Sequence, residues 1–126
     1  MTLGGSLSNT TGRAVVNAGT LVLDKAAGSS AVNALSAPLG SVALEINNGA
    51  TVKIAGAGQA QLSTSANVVL NTGGTLDLNG RSLAMNTLTG GGTVTNTAPS
   101  VAAELVIGSG GSLTTHDFTF AGQIQD

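Results

Sequence analysis

One short motif returns along this 126-residue chain: a Gly, a small residue, then Thr or Ser, then an aliphatic residue. A chain made of returning units of this size folds by stacking them, because no single unit can bury its own apolar face. The copies are Gly49-Ala50-Thr51-Val52-Lys53-Ile54, Gly73-Gly74-Thr75-Leu76-Asp77-Leu78, Gly91-Gly92-Thr93-Val94-Thr95 and Gly110-Gly111-Ser112-Leu113-Thr114, with a shortened form Gly19-Thr20-Leu21-Val22-Leu23. Their Thr or Ser markers, at positions 20, 51, 75, 93 and 112, are 31, 24, 18 and 19 residues apart.

A unit of about 20 residues holds roughly three short strands joined by tight corners. Helical periodicity is nearly absent, and short runs of alternating apolar and small or polar residues take its place. They are Ala14-Val15-Val16, Leu21-Val22-Leu23, Val42 to Ile46, Val52-Lys53-Ile54, Val68-Val69-Leu70, Leu76-Asp77-Leu78, Leu83-Ala84-Met85, Leu105-Val106-Ile107 and Phe118-Thr119-Phe120. Asn48-Gly49 and Asn79-Gly80 supply the corners, since Gly and Asn accept the positive φ of a sharp turn. The expected fold is all-β: a right-handed parallel β-helix, a solenoid of about five coils of roughly 18–24 residues, read as a single segment over 1–126. Positions 28–40 contain Pro38 and interrupt the spacing, so they are expected to form a longer loop or short helical excursion, the alternative being a partial coil.

Composition removes several classes of function. Only 8% of residues are charged and the net charge is −2, while Leu, Ile, Val and Phe supply 32 residues to bury, so a charge-driven disordered chain is disfavoured. The basic residues Arg13, Lys25, Lys53 and Arg81 are scattered, and no patch can neutralise a row of phosphates; nucleic acid is not expected as a partner. No apolar run approaches the ~20 residues of a membrane-spanning helix, and the opening Met1-Thr2-Leu3-Gly4-Gly5-Ser6 lacks the basic start and apolar stretch of an export signal. With no Cys, disulfides, thiolate metal sites and a Cys nucleophile are excluded.

Several stretches together resemble the autotransporter-associated β-strand repeat of large secreted bacterial surface proteins. They are Asn9-Thr10-Thr11-Gly12-Arg13-Ala14-Val15-Val16-Asn17-Ala18-Gly19-Thr20-Leu21-Val22-Leu23, then Leu76-Asp77-Leu78-Asn79-Gly80, Leu88 to Asn96, and the closing Phe118-Thr119-Phe120-Ala121-Gly122-Gln123-Ile124-Gln125-Asp126. The resemblance implies a right-handed β-helical passenger exposed outside the cell, present here as a fragment or repeat unit, without an outer-membrane barrel or signal peptide in this chain.

Candidate chemistry is sparse. A sugar-cleaving site needs paired carboxylates in one groove, yet Asp24, Glu45, Asp77, Glu104, Asp117 and Asp126 share no phase relative to the repeat marker. Asp77 aligns with Lys53, Thr95 and Thr114, a mixed column that reads as an exposed strand position. His116, beside Asp117, is the one imidazole; alone it makes neither a triad nor a His-rich metal site and reads as a turn residue. Phe118 and Phe120 read as plugs for the interior or an end. Gly73-Gly74-Thr75-Leu76-Asp77 lacks the glycine of a calcium-binding nonapeptide, and Gly56-Ala57-Gly58-Gln59-Ala60-Gln61 puts Gln61 where a dinucleotide fingerprint needs Gly. Asn9-Thr10-Thr11 forms a glycosylation triplet, meaningful only in a host that uses it.

The expected function is therefore non-enzymatic, with no catalytic, cofactor or metal residues: a structural β-solenoid of a secreted or cell-surface bacterial protein, such as an adhesin or passenger rod. Its partners would be adjacent coils, or copies of itself end to end in an extracellular filament, with a host or matrix ligand unspecified. A polysaccharide-processing β-helix is the remote alternative.

Overall fold

The computed structural model describes residues 1–5, 12–26, 33–38, 40–57, 61–108 and 119–125. Among them run twelve strands: β1 (Thr2–Gly5), β2 (Ala14–Val16), β3 (Gly19–Lys25), β4 (Val42–Ile46), β5 (Ala50–Ile54), β6 (Asn67–Leu70), β7 (Thr75–Asp77), β8 (Leu83–Met85), β9 (Thr87–Gly90), β10 (Thr93–Thr95), β11 (Leu105–Ile107) and β12 (Gln123–Gln125). A six-stranded sheet has the order β1-β3-β5-β7-β10-β12, a four-stranded sheet β2-β4-β6-β9, and β8 pairs with β11 in a short third sheet. Every pairing is parallel. The chain is all-β among the described residues.

The recurring motif fixes the register. Thr20 pairs with Thr51, Thr51 with Thr75, and Thr75 with Thr93, so four of the repeat markers form one column across the sheet. The aliphatic residue after each marker forms the adjacent column, and Leu21, Val52, Leu76 and Val94 are all buried. In the four-stranded sheet Leu44, Val68 and Leu88 stack in the same way, as do Ile46 and Leu70. Inward residues of all three sheets belong to one apolar cluster, filled by Leu, Ile, Val and Ala with Met85. Neighbouring strands ~4.8 Å apart allow identical residues to meet in this way at every level.

Beyond Thr93 the spacing departs from the expected one. Thr93 pairs on its far side with Gln123, thirty positions on, and the copy at Gly110-Gly111-Ser112-Leu113-Thr114 lies outside the described residues. Of Phe118-Thr119-Phe120, Phe118 is likewise outside; Phe120 makes an isolated parallel bridge to Gly90 and packs against the core. In the 28–40 connection, residues 33–38 contain no helix. Leu35 bridges Leu62 in parallel, and Ala34 and Leu35 are buried, so this part behaves as a strand-like pass and not as a solvated loop.

Corner chemistry follows the Asn-Gly pairs. Asn79 has φ 48° and Gly80 φ 71°, and Arg81 N–H closes the turn on the carbonyl of Leu78; Gly49 has φ 79°. Gly90 combines a φ of +108° with a backbone approach so close that a Cβ would lie 2.2 Å from the Leu70 carbonyl oxygen. Gly90→Ala is expected to cost about 2–4 kcal/mol, from left-handed strain plus the clash. Gly19→Ala, at φ +74° with open space around the added methyl, should lose only about 1–2 kcal/mol. Urea unfolding of the two variants measures the difference, and equal losses would contradict the close approach at Gly90.

Candidate functional site

Asp77 is the centre of the most elaborate polar group. Its strand alternation and its mixed column predict exposure, yet it is buried at 4%. The reason lies outside its own repeat unit: Thr97, in the turn after β10, donates its hydroxyl to Asp77 Oδ2 at 2.7 Å and its N–H to Oδ1 at 3.1 Å. Asn79 N–H also donates to Oδ1 at 2.9 Å, forming a local turn, and Lys53 Nζ stands 3.5 Å from Oδ2. Burial alone would raise the Asp77 carboxyl; the Thr97 hydroxyl and N–H, the Asn79 N–H and the Lys53 ammonium outweigh it and hold the group below the ordinary carboxylate value. Around this anion the network extends outward. Asn79 Nδ2 donates to the Ile54 carbonyl, Gly80 N–H to Asn96 Oδ1, and Asn96 Nδ2 to the Val101 carbonyl. At neutral pH the carboxylate acts as an anchor that ties the ends of β5, β7 and β10 to the 96–101 turn.

A second polar group crosses the core boundary. Lys25 is buried, and its Nζ donates to the Gly4 carbonyl at 2.7 Å. Gln61, fully buried, accepts from Lys25 N–H at 2.9 Å and donates to the Lys25 carbonyl at 3.0 Å, so its amide takes the place of a neighbouring strand's backbone. Gly56 leaves room for this, since a Cβ there would meet the Lys25 carbonyl at 2.3 Å and Gln61 Nε2 at 2.6 Å. Gln61, the residue that breaks the dinucleotide-like pattern, is thus a backbone surrogate.

An asparagine ladder runs along the four-stranded sheet. Asn71 Nδ2 donates to Asn47 Oδ1 at 2.6 Å, and Asn47 Nδ2 to Asn17 Oδ1 at 2.8 Å. Each Asn follows the last inward aliphatic residue of its strand: Val16-Asn17, Ile46-Asn47, Leu70-Asn71. That recurring aliphatic-Asn step was available to sequence reasoning, which followed the Thr marker instead. Gly91 follows Gly90 at the next level, and the ladder ends.

The remaining candidates are dispersed. Glu45 pairs with Arg13 on the surface, and Asp24 and Glu104 are exposed. Asp117, Asp126, His116 and the Asn9-Thr10-Thr11 triplet lie outside the described residues. Among the described residues no group of three His, Cys, Asp or Glu side chains is placed to hold a metal ion, and no helix is long and apolar enough to cross a membrane. Gly56, Gly80, Arg81, Ser82 and Glu104 border an open polar groove of about 490 Å³.

Two concavities flank the terminal strands of the sheets. One, of about 630 Å³, lies against β1 and β2 and includes Leu3, Ala14, Val15, Val16 and Asn17. The other, of about 380 Å³, includes Leu78, Val94, Leu105 and Ile124. Ile124 pairs with Val94 and so continues the inward column, but it is 68% exposed where Val94 is 1%. Among the described residues, β1, β2 and β12 have no strand on their outer side, and the flanks of these edges are largely apolar. Comparison of the chain with protein-family models, curated proteins and solved structures finds no match.

Proposed function

We propose that the chain is a structural segment of a secreted or cell-surface bacterial protein: a right-handed parallel β-helix serving as part of an adhesin or autotransporter passenger rod, without enzymatic activity. The observation that carries this reading is the order of visits. β6, β7 and β8 pass through the four-stranded, six-stranded and short sheets in turn, and β9, β10 and β11 repeat that circuit with Thr75 opposite Thr93. Each circuit is then one coil, advancing the rod by ~4.8 Å. Low charge and an exterior of Thr, Ser and Asn suit a spacer, and the resemblance to the autotransporter-associated repeat supports the extracellular placement.

Protease shaving of intact source cells, followed by mass spectrometry, tests that placement. Release of peptides from this chain is expected; their recovery only from lysed cells would overturn it.

Head-to-tail assembly into a filament is the second reading, favoured by the exposure of Ile124 at the end of a buried column. Its difficulty is geometric. Were Phe120 of one copy to sit beneath β2 of the next, β12 would fall beneath β3, the place that β1 already occupies. Sedimentation velocity separates the readings: a 12.1 kDa monomer fits the rod segment, fibres fit the filament.

A further inference from the structure

Asn-Gly occurs twice in the sequence, at Asn48-Gly49 and Asn79-Gly80. In such a pair the glycine nitrogen can attack the side-chain carbonyl carbon of the asparagine, because glycine has no Cβ to obstruct the approach and the reacting atoms are already neighbours. The structure separates the two pairs. Asn79 is half-buried, and its carboxamide Nδ2 donates to the Ile54 carbonyl at 2.9 Å. Gly80 N–H donates to Asn96 Oδ1 at 2.7 Å, and Asn96 Nδ2 is tied in turn to the Val101 carbonyl. Both reacting groups there are held by the network around Asp77. Asn48 and Gly49 are exposed, in the corner between β4 and β5 that Ala50 N–H closes on the Asn47 carbonyl at 3.0 Å. Gly49 N–H donates to the Gly73 carbonyl at 3.0 Å. The Asn48 side chain lies over Gly73, where an added Cβ would stand 2.0 Å from its Oδ1, and among the described residues no hydrogen bond holds its carboxamide.

We propose that Asn48 is a modification site on which the folded chain acts by itself, through deamidation. As its bond to the Gly73 carbonyl opens, Gly49 N gives its proton to solvent base and forms a bond to Asn48 Cγ. The carboxamide C–N bond breaks, ammonia takes up a proton and leaves, and a five-membered imide joins the two residues. Water, the one co-reactant, then adds to either imide carbonyl carbon and opens the ring to aspartate or isoaspartate at position 48. Either product adds one negative charge to an exposed corner of a chain whose net charge is −2. Isoaspartate also routes the main chain through the side-chain methylene and so lengthens the corner. The bonds from Gly49 N–H to Gly73 and from Ala50 N–H to Asn47 then lose their register, which loosens the link between the four-stranded and six-stranded sheets. The inference goes beyond the rod reading and does not rest on it.

The test is peptide mapping by mass spectrometry of the 126-residue chain kept folded in warm, mildly alkaline buffer, with a parallel sample unfolded in urea. Conversion of amide to acid is read at both asparagines, and isoaspartate is told from aspartate by chromatographic retention against synthetic peptides. In the folded chain, position 48 is expected to convert about tenfold or more faster than position 79, the factor supplied by opening the additional hydrogen bonds at Asn79. In urea the two rates are expected to converge, since both pairs then share the same local chemistry. Folded chain enriched in isoaspartate at position 48 should also unfold at a lower urea concentration than fresh chain. Equal rates in the folded chain, faster conversion at 79, no conversion at 48, or a bias that persists in urea would overturn the proposal.

Discussion

Leu70→Ala is expected to lower the unfolding free energy by about 2–5 kcal/mol, while Val69→Ala, one residue away on the same strand, should cost less than about 1 kcal/mol. Leu70 is fully buried and stacks between Ile46 and Gly90; Val69 is half-buried and pairs with Glu45 and Thr89 on the outer face. The truncation at 70 opens a cavity in a rigid frame, because the backbone of β6 is held by ladders on both sides and cannot collapse into the gap. A one-residue slip in register would exchange the two faces of β6 and reverse the ranking. Two-state urea curves for both variants read the outcome, and equal losses, or a larger loss at 69, would refute the placement of β6.

The same alternation explains which parts of the fold were legible in the sequence. The Thr markers at 20, 51, 75 and 93 form a column because each lies at one phase of a period-two strand beside a buried aliphatic residue, and that pattern is local. β1 and β12 were not readable as strands: Leu3-Gly4-Gly5 is rich in glycine, and Gln123-Ile124-Gln125 offers one apolar residue. Each is extended by pairing with a neighbour, β1 with β3 and β12 with β10, a tertiary cause that no local preference encodes. The thirty-residue step from Thr93 to Gln123 was hidden for the opposite reason, since Gly110-Gly111-Ser112-Leu113 repeats the motif in the sequence and the stretch around Gln123 does not.

The polar groups were less legible still, because their partners are remote along the chain. Gln61 meets Lys25 across 36 positions and Asp77 meets Thr97 across 20. Neither pair has a spacing that chemistry alone would single out. The asparagine ladder was the exception, its members each following a strand's last inward aliphatic residue. Read together, these groups place each polar interior contact where a strand ends, so corners are pinned by side chains and strand centres by backbone ladders.

Asp77→Ala should destabilise the chain by about 2–4 kcal/mol near neutral pH, since it removes a charged acceptor from the Thr97 hydroxyl and from two backbone N–H groups at once. Asp77→Asn keeps an acceptor for those N–H groups and should lose roughly half as much, mainly through the weaker neutral hydrogen bonds. The pH dependence distinguishes the charge from the shape. The folded carboxyl titrates below its unfolded counterpart, so its stabilising contribution is complete above the unfolded value near 4 and is lost as pH falls through the lower, folded value. The gap in stability between the native chain and Asp77→Asn is therefore expected to be constant above about pH 5 and to close on further acidification. Urea midpoints for both chains across that range measure it. A gap that persists unchanged under acid would mean that geometry, and not the ionised carboxylate, secures the 96–101 turn, and the anchoring role assigned to the Asp77 charge would fall.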